Sequence, residues 1–288
     1  MKLTVLTLLV LISLAYARYL DLEDFLEDNT AYNYLEKIGL PLAEEIRAAE
    51  EKYGQSRIVG GSASELGQFP YQAGLLATFS QGRGVCGASL INNIRALTAA
   101  HCWNDGRNQA TELEVVLGSI LLFSGGERIR TSQVVMHGSW LPTLIRNDVA
   151  IIYFPSPVSF SSTISPIALP SGSQLNDNFA GSNAIASGFG LTRDGGSITT
   201  GQYLSHVEVN VITNLVCTLS FPLIVQSSNI CISGANGRST CNGDSGGATC
   251  CHQRHTPILI GVTSFGLLVV PGQFTSCFRE STSFMTLS

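Results

Sequence analysis

The sequence predicts an all-β fold for residues 58–288, on three observations. Apolar runs in this region are short, rich in Val and Ile, and separated by Gly, Ser, Asn and Pro, as at Glu114 to Ile120, Asp148 to Phe154, His206 to Ile212 and Pro257 to Phe265. His206 to Ile212 alternates apolar and polar positions, the period of a strand with one face on a core. No helix-length amphipathic stretch interrupts the pattern before the carboxyl end. Antiparallel barrels and a sandwich both satisfy this spacing, and composition does not choose between them.

Two segments precede this body. Lys2 is followed by an apolar run from Leu3 to Leu14 and then by Ala15-Tyr16-Ala17, the pattern of a secretory signal peptide over residues 1–17. The run falls short of the roughly 20 apolar residues that span a membrane, so a secreted protein with no membrane partner is expected. Residues 18–57 carry ten acidic and five basic residues, contain no Cys, and are rich in helix formers. Residues 58–288 carry eleven acidic and ten basic residues, all ten of them Arg, so the body is nearly neutral and offers no basic patch for nucleic acid. Eight cysteines in an exported chain read as disulfide partners, and no pair stands in a zinc-finger spacing. Neither a metal nor an organic cofactor is implied.

Three local patterns carry chemistry. Thr98-Ala99-Ala100-His101-Cys102 ends an apolar run with a histidine. Asn147-Asp148-Val149-Ala150-Ile151-Ile152 sets a carboxylate at the head of an apolar strand, where burial is costly unless the charge is paired. Gly243-Asp244-Ser245-Gly246-Gly247 surrounds a serine with glycines, which permits a tight turn that aims successive N–H groups at one point. Taken singly, each has a plain alternative: a structural histidine, a strand-start aspartate, a glycine-rich hairpin.

Together, in the order His, Asp, Ser, these patterns resemble the chymotrypsin family of serine proteases, and most nearly its insect midgut digestive members. Arg57-Ile58-Val59-Gly60-Gly61, Cys86-Gly87-Ala88-Ser89-Leu90 and Ser187-Gly188-Phe189-Gly190 extend the resemblance along the body. It implies two six-stranded antiparallel β-barrels with the active site in the cleft between them. It also implies His101, Asp148 and Ser245 as the catalytic residues, with the N–H groups of Gly243 and Ser245 as the oxyanion hole. Residues 18–57 become an activation propeptide, and cleavage after Arg57 by a trypsin-like protease frees Ile58 to pair with Asp244. Ser239 becomes the floor of a pocket that takes large apolar side chains, and Ser264 and Gly266 belong to the strand that holds the substrate backbone. The expected molecule is a monomeric digestive endopeptidase of the gut lumen, acting on proteins or peptides.

The resemblance further implies bridges Cys86–Cys102 and Cys217–Cys231, and leaves Cys241, Cys250, Cys251 and Cys277 unassigned. A partner expected for Cys251 is replaced by Ala184, Ala248 replaces a proline, and a glycine expected in the pocket wall is replaced near Gln273, which could fill the pocket. The segment 267–288 is atypical, with Thr282 to Ser288 allowing less than two turns of a terminal helix. A second class of function therefore stands beside the first: a catalytically impaired homologue that binds proteins without cleaving them.

Overall fold

The structure, a computed structural model, describes residues 29–53, 64–191, 203–219, 224–233, 240, 242–253, 256–266 and 281–283. The first half of the body is a sheet of β1 (Gln72–Phe79), β2 (Gly82–Asn92), β3 (Arg95–Thr98), β4 (Glu112–Leu117), β5 (Glu127–Thr131), β6 (Val134–Met136) and β7 (Ala150–Tyr153), in the order β5-β4-β1-β2-β3-β7-β6. Its outermost segments, β5 and β6, are parted only by Ser132 and Gln133. Pairing continues across that break, since Thr131 Oγ1 donates to Tyr153 O at 2.9 Å and Tyr153 N donates to Gln133 O at 2.9 Å. The seven segments thus act as six strands, one of them bent so that it joins both edges and leaves neither open. The second half is a closed barrel of β8 (Asn183–Gly188), β9 (Ser205–Ile212), β10 (Asn229–Ile232), β11 (Ala248–Gln253), β12 (Thr256–Phe265) and β13 (Ser281–Ser283), in the order β10-β13-β12-β11-β8-β9.

The carboxyl end differs from expectation. Where the sequence leaves room for less than two turns of a terminal helix, Ser281–Ser283 is a strand, with Thr282 opposite both Ile230 of β10 and Thr263 of β12. Without β13 those two strands would present unpaired backbone edges, whereas a helix of under two turns gains little.

The strands of the first barrel are apolar on both faces, and the chain's own amino-terminal segment explains why. Ala73, Leu75, Ala77 and Phe79 of β1 point into the barrel core with Leu113, Val115 and Leu117 of β4. Leu76, Val85 and Val116 lie on the opposite face and pack with Leu122, Phe189 and Leu204 beneath Leu42, Ala43 and Ile46. The last three belong to helix α1 (Leu40–Tyr53), which follows a π-helical turn at Leu35–Gly39. Leu42, Ala43, Ile46, Ala49 and Glu50 recur at helical spacing and are its buried residues, while Glu44, Glu45, Arg47 and Ala48 are exposed. Glu50 ends the buried stripe by accepting from Leu122 N at 2.7 Å, Phe123 N at 3.1 Å and Ser124 Oγ at 3.1 Å. Burial nevertheless pushes its carboxyl above the usual range, outweighing the hydrogen bonds that favour the charge.

Beside this apolar face the same sheet carries a charged cluster. Glu114 is buried on β4 and bonds Arg83 at 2.7 Å, Arg128 at 2.7 Å and Arg130 at 3.2 Å. Burial alone would raise its pKa, but the three guanidinium groups prevail and hold the carboxyl below its ordinary value. A lowered folded pKa stabilises the protein above the ordinary carboxylate range, and the contribution is lost as pH falls through the folded value. Glu114→Gln should cost about 1 kcal/mol at neutral pH, near the low end for such bonds because the arginines are partly solvated. Thermal melts of the two proteins should therefore differ at pH 7 and draw together as pH falls below the ordinary carboxylate range; a difference that stays constant across the acid titration would show that charge is not what Glu114 contributes.

Candidate active site

His101 sits in the 3-10 turn Ala100–Cys102 that directly follows β3, and Asp148 stands two residues before β7. Because β3 and β7 are neighbours in the sheet, with Thr98 opposite Ala150, these two ends meet. His101 Nδ1 donates to Asp148 Oδ2 at 2.7 Å, and the His101 backbone N–H donates to Asp148 Oδ1 at 2.9 Å. Ser264 Oγ, from β12 of the other barrel, donates to Asp148 Oδ2 at 2.5 Å. The carboxylate is fully buried, so these donors replace the water it has lost. They fix the ring orientation and the tautomer with the proton on Nδ1. That leaves Nε2 able to accept, and it is buried with no hydrogen-bond partner among the described residues.

Ser245 reaches the same place through a covalent and hydrogen-bonded chain. Cys102, next to His101, is bridged to Cys86 with an S–S distance of 2.01 Å, and Gly87 N donates to Ser245 O at 2.7 Å. A side chain at Gly87 could not be accommodated, since a Cβ there would stand 2.8 Å from Gly247 Cα. Gly243 and Gly246 flank the serine with φ of 96° and 82°, the left-handed region where glycine is at ease. Asp244 is buried and accepts from Gly190 N at 2.8 Å, so the Ser-Gly-Phe-Gly stretch packs against the loop that carries Ser245. Gly188 and Gly190 both lie against the Asp244 carboxylate without room for a Cβ.

The structure thus brings His101, Asp148 and Ser264 into direct contact and ties the Gly243-Asp244-Ser245 turn to the His101 turn through Gly87 and Cys102, while Gly266 follows Ser264 by two residues at the end of β12. Arg57, Ile58 and Ser239 lie outside the described residues, as do Cys241, Cys277 and Gln273. The second implied bridge, Cys217–Cys231, is formed at 2.06 Å and ties the short helix α2 (Asn214–Thr218) to β10. Cys250 and Cys251 are buried free thiols, and strand register sets Ala184 directly opposite Cys251. Burial pushes the Cys250 thiol up to about 11. Cys86, His101 and Cys102 bring possible ligand atoms within 4.8 Å of one another, but the two sulfurs are bonded together and His101 Nδ1 is held by Asp148, so this group offers a metal nothing.

Two features of the cleft escaped the sequence reading. Gln72 lies buried between the barrels, its Oε1 accepting from Ser187 Oγ at 2.8 Å and from Ala248 N at 3.1 Å. A lone polar residue opening an apolar strand was the only signal. The second is residues 29–34, which lie in the cleft itself. The Tyr34 ring packs edge-on against His101 with centroids 4.7 Å apart, and its hydroxyl donates to Val85 O at 2.8 Å. Gly266 N donates to Thr30 Oγ1 at 3.0 Å. Ala31 joins the cluster of Ile145, Phe265 and Trp140.

Among the described residues no helix is long and apolar enough to cross a membrane. The trypsin family model matches residues 58–286. A collagenase of Hypoderma lineatum is 38% identical over 213 residues, covering 73% of this chain and 77% of that protein. Trypsin beta of Drosophila erecta is 34% identical over 213 residues, covering 73% and 78%. A solved structure of HL collagenase superposes with a TM-score of 0.67 at 36% identity, covering 78% of this chain and 93% of that one. The two barrels, the cleft and these likenesses agree: this chain belongs to the trypsin family and is a serine endopeptidase of chymotrypsin-like fold.

Proposed function

We propose that the protein is a secreted digestive zymogen whose nucleophile is Ser245, whose general base is His101 and whose base-orienting acid is Asp148. The observation that carries this reading is the state of the His101 ring: one nitrogen is locked on a buried carboxylate and the other is left open to accept a proton. A serine hydroxyl is a poor nucleophile until a neighbouring base takes its proton. Ser245 Oγ adds to the scissile carbonyl carbon as His101 Nε2 takes the proton. The Gly243 and Ser245 N–H groups stabilise the resulting oxyanion, at about 3–4 kcal/mol per donor. The C–N bond then breaks as His101 returns the proton to the leaving amine, and water hydrolyses the acyl-enzyme by the same sequence.

Residues 1–17 act as the signal peptide and 18–57 as the propeptide, with cleavage after Arg57 by a trypsin-like protease. The new Ile58 ammonium pairs with Asp244 and orders the oxyanion loop. Ser239 gives the substrate pocket a neutral floor, with no countercharge for Lys or Arg, and this supports cleavage after large apolar residues. The active form works as a monomer in the gut lumen.

Trypsin treatment followed by a serine-directed fluorophosphonate should label the wild type, leave Ser245→Ala unlabelled, and leave Arg57→Gln unlabelled because its bond stays intact. Labelling of uncut Arg57→Gln would end the zymogen reading. Ser239→Asp should move preference from Phe and Leu substrates toward Arg substrates; a wild type that already cleaves only after Arg would refute the pocket assignment. Ser264→Ala removes a donor from a buried carboxylate and should cost about 1.5–3 kcal/mol of stability. Its kcat should fall more than its KM rises, because the orientation of His101 counts most in the transition state; an unchanged kcat would confine Ser264 to substrate binding.

A further inference from the structure

We propose that the cleft and the outer face of the first barrel form a docking surface for the chain's own residues 29–53, which stay bound after the Arg57–Ile58 bond is cut and act as a dissociable inhibitor. The inference rests on the zymogen reading above and goes beyond it, since cleavage at Arg57 removes a tether without removing any contact described here. Two attachments hold the segment. One is the apolar seat of α1, where Leu42, Ala43 and Ile46 cover Leu76, Val85, Val116 and Leu122, and Glu50 caps the 122–124 turn. An uncovered sheet face of this kind would be an exposed apolar patch, which soluble proteins avoid unless it binds something.

The other attachment lies in the cleft. Leu35 N donates to Asp105 Oδ2 at 2.8 Å, Asn108 Nδ2 donates to Asn33 Oδ1 at 2.7 Å, and Tyr34 OH holds Val85 O. Gly266 N, the donor that the substrate backbone would need, is taken by Thr30. Tyr34 packs edge-on against His101, which has no exposed surface. A substrate must therefore displace residues 30–34 to reach Ser245. Lys37, Arg47 and Lys52 are all exposed on the segment, so an activator that reads basic residues can also cut the inhibitor itself and release the cleft in a second stage.

The test separates the two cuts. A chain carrying Gly54→Ile, Gln55→Glu and Ser56→Gly places Ile-Glu-Gly before Arg57, so that factor Xa opens the Arg57–Ile58 bond and spares the segment. In the same chain with Ser245→Ala, native mass spectrometry at micromolar concentration should find the excised segment and the body as a 1:1 complex. With Ser245 present, only the fraction with an open cleft reacts, so fluorophosphonate labelling should be slowed about tenfold or more relative to chain digested further with trypsin. Synthetic peptide 29–53 added to the trypsin-treated enzyme, after that trypsin has been quenched, should restore the slowing. Its Tyr34→Ala form should not, and an Ile46→Glu segment should dissociate. Immediate loss of the segment from the Ser245→Ala body, or equal labelling with it bound and absent, would overturn the proposal. If no form labels at all, the protease reading fails, while the mass of the Ser245→Ala complex still decides whether the segment docks.

Discussion

The Asp148 carboxylate is the point on which both halves of the molecule bear. It is fully buried, and its donors come from the His101 turn of the first barrel and from Ser264 on β12 of the second. A carboxylate in such a place is tolerable only while every donor is present, so the charge that orients the histidine also penalises any separation of the barrels. The second contact of this kind is neutral: Gln72 reaches from β1 to Ser187 and to the backbone at Ala248. The placement of the His101 ring and the docking of the barrels are therefore one structural property here.

The two disulfides among the described residues reinforce this arrangement from within, and neither crosses it. Cys86–Cys102 lies inside the first half and fixes the turn bearing His101, while Cys217–Cys231 lies inside the second. Among the described residues the barrels are joined by hydrogen bonds such as Gly87 N to Ser245 O, by close glycine contacts, and by the apolar core that Ala248, Cys250, Leu259 and Val262 share with the first barrel. This places the demand for precision on positions where a single methyl group is too much, as at Gly87 against Gly247.

What could be read from the sequence follows from how local each signal is. His101, Asp148 and Ser245 each sit in a short run whose composition is unusual by itself, and their order supplied the resemblance. Strands were legible at His206 to Ile212 because one face alternates. The helix from Leu40 lay in a stretch marked only as rich in helix formers, and nothing local said what its apolar stripe covers. Pairings such as Ser264 with Asp148, separated by 116 positions, or Thr30 with Gly266, separated by 236, leave no trace in composition or period. The strand at the carboxyl end was not legible for the same reason, since β13 fills the gap between β10 and β12, which no window of sequence contains.

The adjacent thiols of β11 have a different consequence. Neighbours on a strand face opposite ways, so Cys250 enters the core shared with the first barrel, sharing a hydrogen bond with Tyr71 at 3.0 Å, while Cys251 enters the core between β9, β10 and β12. The two sulfurs cannot join while the strand is intact. Each is also hidden from reagents until its own core loosens. The chain thus carries two chemically identical clocks on opposite sides of one strand, and the order in which an alkylating agent stops them records which core opens first.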